Sequence, residues 1–278
     1  MMHLILLSAA LGVAWGIRQI ATIPTGRWSD RWHRTLGFFL VSPLLLVTTA
    51  IALLLMGPRG QMVRWWEGWG SYYAAIAFLS TALFLGLSLT IEARRSLQQV
   101  RRYPRSEQHG KPARLIDIPT PYVAQIGFWQ PELVVSQGLL DSLDSAHLEV
   151  VFVHEQGHLH YRDTFWFFWL GWLRQLTAWL PQTEALWQEL LILRELRADR
   201  WASQHVDGLL LAEALLSVVS APQMQPEFCA SFSSVAVRNR LDERINALLE
   251  PESTEPESRS WLWLLFVLIP LIVVPFHR

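Results

Sequence analysis

Two stretches decide most of what this chain can fold into: "TLGFFLVSPLLLVTTAIALLLM", residues 35–56, and "SYYAAIAFLSTALFLGLSLTI", residues 71–91. Neither contains Asp, Glu, Lys or Arg. A helix rises about 1.5 Å per residue, so about 20 such residues cross a hydrocarbon layer about 30 Å thick. The competing reading, helices buried in a soluble core, fits uncharged runs of this length poorly. Two shorter blocks flank them, "MMHLILLSAALGVAWGI" (1–17) and "WLWLLFVLIPLIVVPF" (261–276). The first lacks the basic start of a cleaved signal peptide, so it reads as a retained helix. The last holds Pro270 and Pro275, which a spanning helix tolerates near its end. Only 17% of the chain is charged, against about 25% in soluble domains, which favours the lipid reading. The expectation is a predominantly α membrane protein with about four transmembrane helices.

Arginine placement sets the expected orientation. Arg27, Arg31 and Arg34 follow the first block, and Arg94, Arg95, Arg101, Arg102 and Arg105 follow the third. The loop between the second and third blocks carries Arg59 and Arg64, offset by Glu67. Positive residues stay on the cytoplasmic side. Residues 92–260 are therefore expected in the cytoplasm. The chain then divides into a three-span region (1–91), a cytoplasmic domain (92–260) and a last span (261–278). A net charge of −1 leaves no basic excess for nucleic acid. The one cysteine, Cys229, excludes an intrachain disulfide and a cysteine-based zinc cluster.

Within 92–260, "RLIDI", "YVAQIGFW" and "PELVVS" read as short strands. Pro131 opens the third, which therefore reads as an edge strand. Ser136 can cap a short helix, and Asp144 or Ser145 a longer one carrying "HLEVVFVHEQGHLHY". The aromatic stretch at 163–181 contains Arg174 and Gln175 and ends at Pro181. It reads as a helix lying against the membrane or the spanning bundle, ahead of a buried core helix and well ahead of a fifth crossing. The segment 249–260, rich in Pro, Glu and Ser, reads as a linker. The domain is thus an α+β unit with a small sheet.

The longer helix carries His-Glu-x-x-His. His154 and His158 are four apart, so both imidazoles lie on one face and can bind one zinc ion. Glu155 stands beside them as a general base for a water activated by the metal. Chance alone puts this pattern in about 1% of chains this long, so a third ligand is needed to support it. "LWQELLILRELRADRWASQHV" supplies Glu195 and Asp199, again four apart. Glu195 can complete a two-histidine, one-carboxylate site, and Asp199 can accept the free ring N–H of a ligating histidine. Taken alone, those acids would read as an exposed face paired with Arg194, Arg197 and Arg200. Glu189 and Glu184 are fallback ligands. His205 or Arg200 could stabilise the oxyanion. His160 reads as a surface or supporting residue, and Asp163 as a partner of the helix end or of an arginine. His33, His109 and His147 read as structural or solvent-facing.

"HEQGHLHYRD" followed by "RELRAD" resembles the integral-membrane gluzincin peptidases, in particular the metallopeptidase module of β-lactam-sensing antirepressor receptors. The segments 119–136, 179–181 ("WLP") and 242–250 ("DERINALLE") are similar as well, with sharp identity confined to 154–163 and 194–199. The resemblance implies a zincin-like metallopeptidase domain, with Zn2+ on His154, His158 and Glu195 and Glu155 as catalytic base. It implies that Leu133, Val134 and Val135 align an extended substrate by strand addition. A cytoplasmic winged-helix repressor is the implied substrate. The sequence stops at Arg278, past the fourth block, without the receptors' outer sensor domain. The expected partners are therefore a protein substrate and the bilayer, with a homo-oligomer left open. Two alternatives stand beside this regulatory protease. One is a quality-control or prenyl-protein type of membrane peptidase, and the other a non-catalytic membrane scaffold that keeps a zinc site. A transporter fits poorly, because the spans carry almost no ionisable residues.

Overall fold

The structure is a computed structural model that describes residues 2–23, 26, 28–58, 65–220, 240–249 and 262–277. Cys229 and the linker beyond Leu249 lie outside the described residues. Helices dominate. First come α1 (Met2–Ile20), α2 (Trp28–Met56) and α3 (Trp65–Val100). Four strands follow: β1 (Arg105–Gln108), β2 (Lys111–Ile116), β3 (Val123–Ile126) and β4 (Glu132–Ser136). Then come α4 (Gln137–Ser142), α5 (Ser145–His160), α6 (Asp163–Leu176), α7 (Thr183–Ser203), α8 (Gly208–Ser220) and α9 (Leu241–Leu249). The residues gather into two compact units: Met1–Leu89 with Gly171–Leu190 and Pro256–Arg278, and Thr90–Leu170 with Leu191–Glu255.

The first unit holds the apolar helices. Among the described residues, three helical stretches are long and apolar enough to cross a membrane: His3–Ile20, Trp28–Met56 and Gly68–Val100. Leu83, Phe84 and Leu87 on α3 are more than half exposed, an apolar surface suited to lipid. α1 packs on α2, where the Ser42 hydroxyl donates to the Ala14 carbonyl (3.0 Å) and Arg18 Nη2 donates to the Phe39 carbonyl (3.0 Å). The last apolar block is not the continuous α-helix expected. It forms a 3-10 stretch (Leu262–Leu268), one α-turn (Ile269–Ile272) and a further 3-10 turn (Val274–His277). Pro270 and Pro275 each remove an N–H and crowd the preceding turn, which breaks an α-helix. The block packs on α2, and Val267 accepts a hydrogen bond from Thr48 Oγ1 (2.6 Å).

The aromatic stretch is the one expected to lie against the membrane or the spanning bundle. It divides at Gly171, and its second half belongs with the apolar helices. There Trp172 Nε1 donates to the Ala82 carbonyl of α3 (2.8 Å). α6 has 14 residues, too few to cross a membrane, and exposes Trp166 and Trp169.

The second unit is built on a four-stranded mixed sheet of order β1-β2-β4-β3. β1 and β2 form an antiparallel hairpin, β2 and β4 are parallel, and β3 and β4 are antiparallel. The turn between β1 and β2 has positive φ at both central residues, His109 (49°) and Gly110 (73°), the backbone a two-residue hairpin needs. The order corrects the edge reading. Leu133, Val134 and Val135 lie on β4, paired on both sides and buried, so they cannot accept a substrate strand. Pro131 misled because it sits just before β4, where a missing N–H breaks no ladder bond. The edges are β1 and β3, and β3 packs beside α5. Leu133 and Val135 face a core formed with Leu148, Val151 and Phe152 of α5 and with Leu211 and Leu215 of α8. Val134 faces the other way, against Val100, Ile116 and Ile126.

Ser136 caps α4 as expected, accepting from Leu139 N (3.0 Å). Its hydroxyl also accepts from Tyr122 N (2.8 Å) and donates to the Thr120 carbonyl (2.8 Å). Ser136→Ala would leave three backbone groups without these bonds. The expected loss is about 2–4 kcal/mol of stability, read as a lower denaturation midpoint of the full chain.

Candidate metal centre

α5 begins at Asp144, whose carboxylate accepts from His147 N (2.9 Å) and also lies 2.7 Å from His147 Nδ1. The first turns bury Leu148, Val151 and Phe152 against the sheet, which fixes the rotation of the helix. His154, Glu155 and His158 follow in the last turns of α5. α7 lies against this part of α5. A Cβ on Gly157 would stand 3.2 Å from Ala198 Cα and 3.2 Å from the Ala198 carbonyl oxygen, so glycine permits the close approach. Glu195 and Asp199, on either side of Ala198, thereby reach the histidines.

The ligand atoms converge. The two imidazole Nε2 atoms are 3.1 Å apart, and Glu195 Oε2 lies 3.5 Å from His154 Nε2 and 3.7 Å from His158 Nε2. Each Nδ1 faces a carboxylate: His154 that of Asp199 (2.8 Å), His158 that of Asp163 (2.8 Å). Carboxylates only accept, so each Nδ1 carries a ring proton, and with the rings neutral both Nε2 atoms present lone pairs. In that state two lone pairs and a carboxylate oxygen point at one another, an arrangement that suits a cation, either a metal ion or the extra ring proton that the surrounding acids favour. Tetrahedral zinc with bonds of about 2.0–2.1 Å needs ligand atoms about 3.3 Å apart. The observed separations bracket that value, and the residues fit the ion.

The charges around this centre are paired in a definite way. Arg194 holds Glu195 Oε1 (2.7 Å), leaving Oε2 turned to the histidines. Arg197 pairs with Asp163 and lies over the Tyr161 ring. Arg244 of α9 holds both oxygens of Asp199 (2.7 Å each). Among the described residues, the buried Glu155 carboxylate makes no hydrogen bond or ion pair. Burial opposes charge on the imidazoles. Asp199 nevertheless holds His154 above its ordinary pKa, and Glu195 with Asp163 pushes His158 up to about 10. Burial likewise opposes ionisation of the two acids. The Arg194 charge, then His158, keeps Glu195 well below the usual carboxylate range, and Arg244 lowers Asp199.

The structure brings together His154, Glu155, His158, Glu195 and Asp199. The fallback ligands are engaged elsewhere, Glu189 with Arg31 (2.5 Å) and Glu184 with Arg174 (2.7 Å). His205 is exposed, its Nδ1 lying 2.8 Å from the Trp201 carbonyl and its ring against Trp201, which also stacks with His160. Arg200 is half-buried on α7. Asp163 does more than the sequence suggested. Tyr161 ends α5 and Arg162 takes a left-handed φ of 53°, so the chain turns and Asp163 comes back to His158. Arg244 lies in the segment 242–250 noted in the sequence, but its pairing with Asp199 has no local signal, for it stands 45 residues beyond. Compared with known proteins, the chain matches no family model and no curated protein sequence.

Proposed function

We propose that this chain is a membrane-bound zinc endopeptidase of the gluzincin type, with a zincin-like domain working on the cytoplasmic face. The supporting observation is the convergence of three buried acceptor atoms, from His154, His158 and Glu195, beside the Glu155 carboxylate, which makes no hydrogen bond or ion pair among the described residues. When bound there, zinc supplies Lewis acidity, polarising a carbonyl and bringing the pKa of a water towards about 7. Glu155 accepts the proton of the attacking water and delivers it to the leaving amine nitrogen. Asp199 and Asp163 hold the two imidazoles in the tautomer that leaves Nε2 facing the centre. The free edge of β3, beside α5, is where an extended peptide adds as a further strand, in place of the enclosed β4. The substrate class is protein, and the resemblance favours a cytoplasmic repressor. A scaffold that only keeps zinc has no use for a buried acid placed beside the ligand set at this position.

Purified full-length protein should cleave a denatured protein substrate, stop with a zinc chelator and recover with added zinc, whereas Glu155→Gln stays inactive. Cleavage insensitive to chelation would sink the assignment. For orientation, a reporter that works only in the cytoplasm should be active when fused after residue 110. A silent fusion, with a periplasm-dependent reporter active at the same point, would reverse the topology.

A further inference from the structure

Arg244 sits in the first turns of α9 and is 5% exposed, so its charge is placed in the interior for a reason. Its Nε donates to Asp199 Oδ2 and its Nη2 to Asp199 Oδ1, both at 2.7 Å. Asp199 Oδ1 is also the oxygen 2.8 Å from His154 Nδ1. The third guanidinium nitrogen, Nη1, lies 3.5 Å from Glu195 Oε2, the oxygen turned to both imidazoles. One planar group therefore touches the carboxylate that orients a histidine and the carboxylate that completes the ligand set.

We propose that Arg244 is a positioning residue for the metal centre, locking Asp199 against His154, so that metal affinity depends on a side chain that never contacts the metal. The inference rests on the zinc reading. The opposite charges of Arg244 and Asp199 largely offset each other, so the distinctive contribution of the pair to the centre is orientation. The two-pronged bond also leaves Asp199 one rotamer. Lysine offers a point charge and cannot make the same fork. Without the fork, Asp199 can turn away from His154, and the imidazole loses the partner that sets its tautomer and tilt. Partners of ligating histidines typically account for about 10–100-fold in metal affinity.

The test uses the full chain in detergent, loaded with zinc or with cobalt as a spectroscopic probe. Zinc affinity is measured by competition with a chelator, for wild type, Arg244→Lys, Arg244→Met, Asp199→Asn and the Arg244→Lys/Asp199→Asn pair. Expected are an affinity about 10–100-fold weaker in Arg244→Lys, despite the retained charge, and altered visible bands of the cobalt form. Arg244→Lys should add nothing further in the Asp199→Asn background, because it acts through Asp199. A purely structural arginine would lower the melting temperature and leave cobalt bands and zinc affinity alone. Arg244→Lys covers the case in which Arg244→Met fails to fold. Zinc affinity in Arg244→Lys within the wild-type range, or losses that multiply in the double variant, would overturn the inference while the zinc reading stands. If wild type itself binds no zinc, the zinc reading falls and this inference with it.

Discussion

On the zinc-endopeptidase proposal, a Glu155→Gln protein is expected to bind zinc and fold as wild type does and to lose cleavage. Gln has nearly the shape of Glu, but its amide cannot accept a proton at neutral pH. The Glu155 carboxylate makes no ion pair or hydrogen bond among the described residues, so the exchange breaks none there and removes only its charge interaction with His158 and Arg244. The three ligand atoms come from His154, His158 and Glu195, whose own partners are Asp199, Asp163 and Arg194. None of these contacts runs through residue 155. Metal content by elemental analysis and the melting temperature should therefore match wild type. Positioned acid–base groups contribute about 10²–10⁴-fold, so the cleavage rate should fall by that factor, about 3–5 kcal/mol in barrier. The same variant should retain bound substrate, and proteins co-purifying with it but not with wild type can be identified by mass spectrometry. Wild-type cleavage by Glu155→Gln would remove Glu155 from the reaction and leave a metal site without a base.

The parts of this protein that were legible in the sequence are those encoded within one helix. Runs of 20 uncharged residues announce α2 and α3, and spacings of four announce His154 with His158 and Glu195 with Asp199. Each signal needs only the 3.6-residue period and a local count of charges. Other features depend on where the chain returns. Asp163 reaches His158 because Arg162 reverses the backbone, and spacing of five alone puts it on a different helix face. Arg244 reaches Asp199 from a separate helix. β4 is interior because β2 pairs with it in parallel, a long-range choice that neither strand's own composition specifies. The hairpin of β1 and β2 had a local signal, His109–Gly110 between two short extended runs, but a weaker one than Asn-Gly or Asp-Gly would give. The last block was misread for a physical reason. Apolar composition says where a segment can reside, while two prolines five residues apart weaken a short helix more than the single Pro43 weakens the long α2, and the block folds as 3-10 and a single α-turn.

The contact between Gly157 and Ala198 carries the second large expectation, that Gly157→Val loses zinc. Gly157 comes three residues after His154 and one before His158, and Ala198 stands in the same relation to Glu195 and Asp199. The point where α5 and α7 touch is thus the fulcrum of the ligand set. A Cβ at 157 meets Ala198 Cα and O at 3.2 Å and Ala198 Cβ at 3.4 Å, so alanine already asks for a few tenths of an ångström. Valine adds two methyls and forces the helices further apart, whereas metal bonds tolerate about 0.2 Å. Overpacking of this kind costs about 1–3 kcal/mol of fold stability, which a chain can survive. The metal cannot follow, since moving α7 outward withdraws Glu195 from both histidines, and a fall in zinc affinity beyond about 100-fold is expected. Gly157→Ala separates the two effects. Replacing a mid-helix glycine gains about 1 kcal/mol in helix propensity, which offsets the crowding in the metal-free fold. Its melting temperature should stay near that of metal-free wild type while its zinc affinity drops. Equal zinc affinity in Gly157→Val and wild type would show that α5 and α7 can separate without moving the ligands, and the close approach would then be packing alone.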